Sequence, residues 1–336
     1  MATQTATNVL VALKRESSFG VAAGATSGDR LRALDSPGMK KTRGNIESAE
    51  RRSDLLQNMG RLGSTSVDGS YTTEINPGGE FDLLIESLAR GTLGSLAQEN
   101  GISPGGAGTG TQMAKVDTPA TPVNTSYTIE QYDIDTDLSE TFLGCRLTGA
   151  DFSFQPNEMA TVQWTFQGVE RTILATGASP YFTTPSLTSG LPLIADDSVL
   201  KYKGSAVTKI TGLNLSVAID AAGQATIGNT TSPDIFMNTL RVSGDISAVR
   251  EDLQAATDFD AGTEFAIQIV LKDPTSAPQL TFGIVLPRVK LTDVDAPFSG
   301  GDAAKVETRQ FTAHAPAGAS NVVEFYTSTE TATIVS

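Results

Sequence analysis

Apolar residues in this chain fall mostly at every second position. Val162, Trp164 and Phe166 alternate with polar residues, as do Leu213, Leu215, Val217 and Ile219. Phe265, Ile267, Ile269 and Leu271 follow the same rule, and so do Phe282, Ile284 and Leu286. Successive side chains of a strand point to opposite faces, so each run predicts a strand with one apolar face. Turns such as Gln155-Pro156-Asn157 and Ala222-Gly223 interrupt the runs, the pattern of antiparallel hairpins. Val67, Tyr71 and Ile75, set among Thr and Ser, predict a further strand over residues 64–75. One segment has helical spacing: Phe81, Leu84, Ile85 and Leu88 make one apolar face, Asp82 and Glu86 lie on the wet side, and Gly91 ends it. A weaker helical stretch runs from Glu251 to Thr257.

Two regions carry no such pattern. The stretch to about Gly63 reads as an extended arm with loops. Residues 101–124 are rich in Gly, Pro and Thr and nearly devoid of large apolar side chains, too few to offset their ordering entropy alone. A loop this long is usually functional or disordered, and ordering against a neighbouring subunit reconciles the two.

With 336 residues the chain is long enough for two domains. Charged residues make up only 18%, the profile of a β-rich soluble protein. A single cysteine excludes a disulfide framework and any multi-thiolate metal site. A single histidine excludes His-cluster metal sites and leaves a Ser-His-Asp triad only if His314 is its base. No Ser-containing nucleophile elbow accompanies His314, which reads as a surface or interface residue. Cys145 reads as a small buried hydrophobe, and Trp164 and Phe166 as core. The stretch Tyr132-Asp133-Ile134-Asp135-Thr136-Asp137 has oxygens enough for calcium, but it lacks the turn glycine and terminal Glu of an EF-hand. Its alternation fits a strand with acids on one face. Gly105-Gly106-Ala107-Gly108 is followed by no Lys-Ser/Thr and is not a phosphate loop. No catalytic, cofactor-binding or metal-binding residue is assigned, and an enzyme is not expected. No apolar run approaches the ~20 residues of a membrane span, and the N-terminal residues lack the pattern of a signal peptide. Synthesis in the cytosol is the expectation.

Charge divides unevenly. The net charge is −14, yet residues 1–61 carry +4 and the remainder −18. A basic N-terminal segment with little aromatic interleaving can bind nucleic acid or dock on acidic neighbouring copies of the same chain.

The chain also repeats itself. Residues 147–154 with Ala160-Thr161-Val162 match residues 210–217 with Ala225-Thr226-Ile227. A longer correspondence sets Asp68-Gly69-Ser70, Phe81-Asp82-Leu83 and Gly91-Thr92 against Ser243-Gly244-Asp245, Glu251-Asp252-Leu253 and Gly262-Thr263. Each half closes with strands joined by a polar turn, over residues 142–168 and 282–312. Either the chain is duplicated, with about 150 residues in each half, or β proteins have reused the same strand-turn chemistry.

These pieces also carry a family likeness. Residues 14–20 (KRESSFG), 47–54 (ESAERRSD), Val67-Asp68-Gly69-Ser70, residues 81–86 (FDLLIE), residues 242–246 (VSGDI) and residues 286–291 (LPRVKL) occur in order over nearly the whole chain. Together they make the sequence resemble the major tail tube proteins of long, non-contractile-tailed bacteriophages. The resemblance implies a mainly β fold of duplicated sandwich or barrel modules, each with a short flanking helix, beside the N-terminal arm and the long loop. The boundaries expected are 1–63 for the arm, 64–175 for the first module with its loop at 93–124, and 176–336 for the second. It further implies rings that stack into a tube around a tape-measure protein, with terminator and tip proteins at the ends, in the tail of a virion. Double-stranded DNA would pass through without specific binding, and no cofactor would take part. Two modules per chain imply three chains per ring, or six chains with the second module projecting outward. Acidic residues would line the bore and repel phosphates, or else merely solubilise the outside. Subunit contacts are expected at Arg51 and Arg52 of the arm and at Ser103, Gly105, Gly108 and Thr111 of the loop. The alternative is a carbohydrate- or receptor-binding β-sandwich of the virion.

Overall fold

A computed structural model describes residues 3–5, 7–51, 53–54, 56–96, 113–119, 121–175, 177–188, 190–207, 209–273, 280–297, 304–315 and 321–328. In chain order the first part contains β1 (Val9–Arg15), β2 (Asp29–Leu31), β3 (Gly38–Ile46), β4 (Arg61–Glu74) and α1 (Gly79–Ala89). There follow β5 (Gly94–Leu96), β6 (Met113–Asp117), β7 (Tyr127–Asp133), β8 (Leu138–Phe154), β9 (Thr161–Gly168) and β10 (Glu170–Leu174). The second part contains β11 (Ser198–Tyr202), β12 (Ser205–Ala206), β13 (Ile210–Gly223), β14 (Ile235–Val249) and α2 (Gln254–Ala261). It ends with β15 (Glu264–Lys272), β16 (Thr281–Asp295), β17 (Val306–Ala313) and β18 (Glu324–Ser328). All strand ladders are antiparallel.

The long strand β8 organises the first half. Its N-terminal part pairs with β7, which pairs with β1 and through it with β2. Beyond Gly144, whose φ of 61° turns the chain, it pairs with β9, which pairs with β4 and through it with β3. One strand thus belongs to two sheets, and the apolar faces of both enclose Val67, Tyr71, Ile129, Phe142, Trp164 and Phe166. The predicted helix is α1, with Phe81, Leu84, Ile85 and Leu88 all buried. Asp82 and Glu86, expected on the wet side, are partly covered, because β6 and β18 also pack against α1.

The second half repeats this plan strand for strand. In it β16 takes the place of β8, pairing with β15 and then with β17; β15 pairs with β11, β11 with β12, β17 with β14, and β14 with β13. β10 flanks the start of β8 as β18 flanks the start of β16. Irregularities repeat too. Register shifts between Arg43 and Asn45, Tyr127 and Ile129, and Leu147 and Gly149 recur between Ile219 and Ala221, Phe265 and Ile267, and Leu291 and Asp293. Bulges re-aim a strand at a fixed place, so their recurrence in three matched ladders marks a duplication rather than reuse of turn chemistry. Both helices end alike, on a left-handed residue (Arg90, Gly262) whose N–H and its successor's bond back into the last turn.

Of the two sequence correspondences, the longer is structural in its first piece: Gly69 of β4 and Gly244 of β14 occupy the same position, whereas Gly262 matches Arg90 rather than Gly91, and Phe81 is matched by Leu253 rather than Glu251. The shorter is not. Residues 147–154 and 210–217 lie in β8 and β13, which pair with each other, Phe152 opposite Leu215. Ala225-Thr226-Ile227 lies in the connection to β14, with Ile227 fully exposed. Residues 1–63, expected as an arm with loops, supply β1 to β3; β2 is three residues long and β3 mostly polar, so neither shows a period, while β1 opens with a continuous apolar run, VLVAL, that does not alternate. Within the expected loop, residues 113–117 form β6, which pairs with β18 of the other half. Only β5 and β6 lack counterparts among the described strands.

The β8–β13 ladder joins one sheet from each half into a continuous eight-stranded surface, ordered β3-β4-β9-β8-β13-β14-β17-β16. Behind it the halves share one core. Phe81 of α1 packs edge-on against Trp164 (5.7 Å) and Phe282 (5.1 Å), and Phe152 meets Phe282 and Phe325, each at 6.0 Å.

Candidate functional site

The solvent face of the eight-stranded surface is concave, with a hollow of about 790 Å³ between β8 and β16. Alternation in each strand sends apolar residues to the core and the intervening ones here. Rows of opposed residues cross the sheet: Thr72, Gln163, Asp151, Ser216, Ser243 and Thr312 make one, and Glu74, Thr161, Ser153, Asn214, Asp245 and Gln310 the next. Short hydrogen bonds tie the rows, as from Ser216 Oγ to Asp151 Oδ1 (2.5 Å) and from Asn214 Nδ2 to Asp245 Oδ2 (3.1 Å). No Lys or Arg is among the residues described around the hollow. Nearby, Arg241 is engaged by Asp220 at 2.9 Å and Lys40 stands opposite Asp68. Lys290 of β16 stands opposite Thr312 at the end of the first row, 3.4 Å from Glu264 Oε1. The face is therefore a sheet of hydroxyls and amides with excess carboxylate, its described cations set beside acids and outside the hollow.

Sequence reasoning did not single out these residues. The available signal was the polar half of each alternating run, small uncharged side chains with Asp, as in Asp151-Phe152-Ser153 and Asn214-Leu215-Ser216.

The expected contact residues divide. Arg51 is exposed in the segment joining β3 to β4. Arg52, Ser103, Gly105, Gly108 and Thr111 lie outside the described residues. His314 is exposed, its N–H donating to the Arg288 carbonyl and its ring Nε2 within 3.0 Å of Thr312 Oγ1. Cys145 is fully buried, and burial, with the nearby Glu16 charge, pushes its thiol well up. The acid stretch 132–137, expected as a strand, instead leaves β7 at Asp133 and turns into β8. Its carboxylates are taken up locally: Asp135 accepts from the Thr5 N–H (2.8 Å) and from Asn8 Nδ2 (2.5 Å), and Asp137 from the Gly177 N–H (3.2 Å). Among the described residues no cluster of three or more His, Cys, Asp or Glu is placed to hold a metal ion.

Two deeply buried carboxylates are structural. Glu130 accepts from Ser139 Oγ (2.5 Å) and from the N–H groups of Tyr181 (2.5 Å) and Phe182 (2.9 Å), fastening the 175–195 connection to β7. Glu16 accepts from the N–H groups of Gly20 and Gly144 (both 2.9 Å) and from Ser126 Oγ (2.7 Å), fixing the bend of β8.

In comparisons with known proteins, the chain matches the family described as "Phage tail tube protein" over residues 6–315. No curated protein matches it.

Proposed function

Because the chain belongs to the phage tail tube protein family, and is thus a structural protein of a phage tail, we propose that its copies close into rings that stack as the tube of a long, non-contractile tail. The polar concave face lines the bore, and double-stranded DNA leaves through it. One observation carries this reading: the eight-stranded sheet presents a continuous concave face with excess carboxylate, while β3 at one end and residues 291–295 of β16 at the other have no strand beyond them among the described residues. Edges of that kind invite pairing with another chain.

The chain then counts as two tube modules, divided between residues 175 and 176. Three chains make a pseudo-hexameric ring, with head-to-tail contacts that close on themselves. Such a ring would carry about 24 strands in its wall, and at roughly 4.8 Å per strand the backbone circle is about 37 Å across before strand tilt widens it. That leaves room for a duplex after side chains line the wall. Arg51, Arg52 and the 101–112 segment contact neighbouring subunits, and the tube encloses the tape-measure protein and meets terminator and tip proteins at its ends. Synthesis takes place in the host cytoplasm, the function is mechanical, and no catalysis is involved.

Negative-stain microscopy of the purified chain at high concentration tests this directly. Rings or tubes are expected; monomers under every condition would refute it.

A further inference from the structure

The contact between the two halves of one chain is a template for the contact between chains. In the first contact, β8 of the first half pairs with β13 of the second, and Phe81 and Phe152 pack on Phe282 and Phe325. Carrying each residue to its matched position in the other half gives the same contact with the roles exchanged. β16 stands in for β8 and β3 for β13. Leu253 replaces Phe81, Ala296 replaces Phe152, Leu138 replaces Phe282 and Ile173 replaces Phe325.

These substitutes lie at the surface. Phe81, Phe282 and Phe325 are at most 3% exposed, whereas Leu253, Leu138 and Ile173 are 64%, 40% and 63% exposed. Large apolar side chains are thus uncovered where their counterparts are buried between the halves. Resting on the proposed ring, we propose that the second half of one copy binds the first half of the next through a β16–β3 ladder, with Asp293, Val294 and Asp295 opposite Thr42, Lys41 and Lys40. Leu253 of the first copy then covers Leu138 of the second, and Ala296 covers Ile173.

Three further observations agree. An acid of β16 meets a lysine of β3 in the transferred register, Asp295 opposite Lys40. The Val294 N–H, on the strand that would pair, is held by its neighbour's Asp293 Oδ1 (2.9 Å), a local stand-in for a ladder bond. The Met39 N–H is already taken by Gln131 Oε1 (2.6 Å), so the ladder runs from Lys40 to Thr42. Solvent-side positions stay on one face across the junction, so Asp295 and Lys40 continue the rows of the concave surface.

The test places cysteines at Thr42→Cys and Asp293→Cys in one chain. Residues opposite each other in a ladder lie within disulfide reach. Oxidation of assembled tubes should give covalently linked chains on a non-reducing gel, while Lys41→Cys with Asp293→Cys, which face opposite ways, should give at least tenfold fewer. Ile173→Asp and Leu253→Asp, both at exposed positions, should leave the monomer folded and lower the assembled fraction at least tenfold. Tubes that form without the Thr42–Asp293 cross-link, or that survive both aspartates, would overturn this register and leave the proposed function standing. Failure of the unaltered chain to assemble would overturn both.

Discussion

Replacing Gly69 by alanine sets a methyl carbon 2.2 Å from the Gly38 carbonyl oxygen and 2.6 Å from Met39 Cα. At the matched position, Gly244→Ala sets one 2.4 Å from the Asn214 carbonyl oxygen and 2.6 Å from the Phe311 ring. Real Cβ atoms do not approach other heavy atoms so closely, and in both cases the obstacle includes backbone of the paired strand, which cannot rotate away. Overpacking of a well-filled site costs about 1–3 kcal/mol, and a backbone obstacle puts both variants at about 3 kcal/mol. For a chain of this size that lowers the melting temperature by roughly 4 °C. Calorimetry of each variant against the parent measures it. The duplication adds a sharper expectation, that the two substitutions act alike because β3 crosses β4 as β13 crosses β14. A melting temperature within about 1 °C of the parent for either variant would refute the close-approach argument. A large effect at one site alone would refute the equivalence of the two crossings.

Glu130→Ala strands the N–H groups of Tyr181 and Phe182 and should destabilise by about 3–5 kcal/mol, with Glu130→Gln in between, measurable by urea denaturation. Burial beneath β18 pushes the Asp82 carboxyl up to about 6, partly offset by hydrogen bonds from the Gly78 N–H and Thr327. Folding therefore favours its protonated form, and its contribution is full below pH ~4 and lost as the pH rises through about 6, a change of about 2–3 kcal/mol. Asp82→Asn should accordingly stabilise at pH 8 and change little at pH 4, in paired melting curves. Replacing residues 99–110 by a short turn keeps β5 and β6 and should leave a folded chain, by circular dichroism, that forms no tubes. Tubes carrying Asp151→Lys and Asp245→Lys should retain duplex DNA in a filter assay at low salt, with a steep salt dependence, while parent tubes let it pass.

The regular core strands and α1 were legible because a buried face forces alternation or helical spacing onto the sequence. Leu213 to Ile219 and Phe81 to Leu88 carry that signal without ambiguity. β2 is too short to show a period, β3 is polar along most of its length, and the apolar run of β1 does not alternate, so the N-terminal region looked like an arm. The duplication was half legible. Gly69 and Gly244 keep the same residue because both crossings demand it, whereas most matched core positions, such as Trp164 and Arg309, have diverged. The likeness of β8 to β13 reflects a shared chemistry, since both present Ser and an acid or amide to the same concave face. The concave face itself was hidden because its residues are selected for small polar character spread over eight strands rather than for a local motif. Arg51 illustrates the remaining limit: a basic, exposed residue can be recognised from sequence, but its contact depends on another copy of the chain.

Electron cryomicroscopy of tubes assembled from the unaltered chain tests the central claim most directly. The account predicts a wall of three chains per ring in which β16 of each copy pairs with β3 of the next, giving threefold symmetry with six similar modules around an acidic, hydroxyl-rich bore. Six chains per ring with the second half projecting outward, or a bore lined chiefly by Lys and Arg, would contradict it.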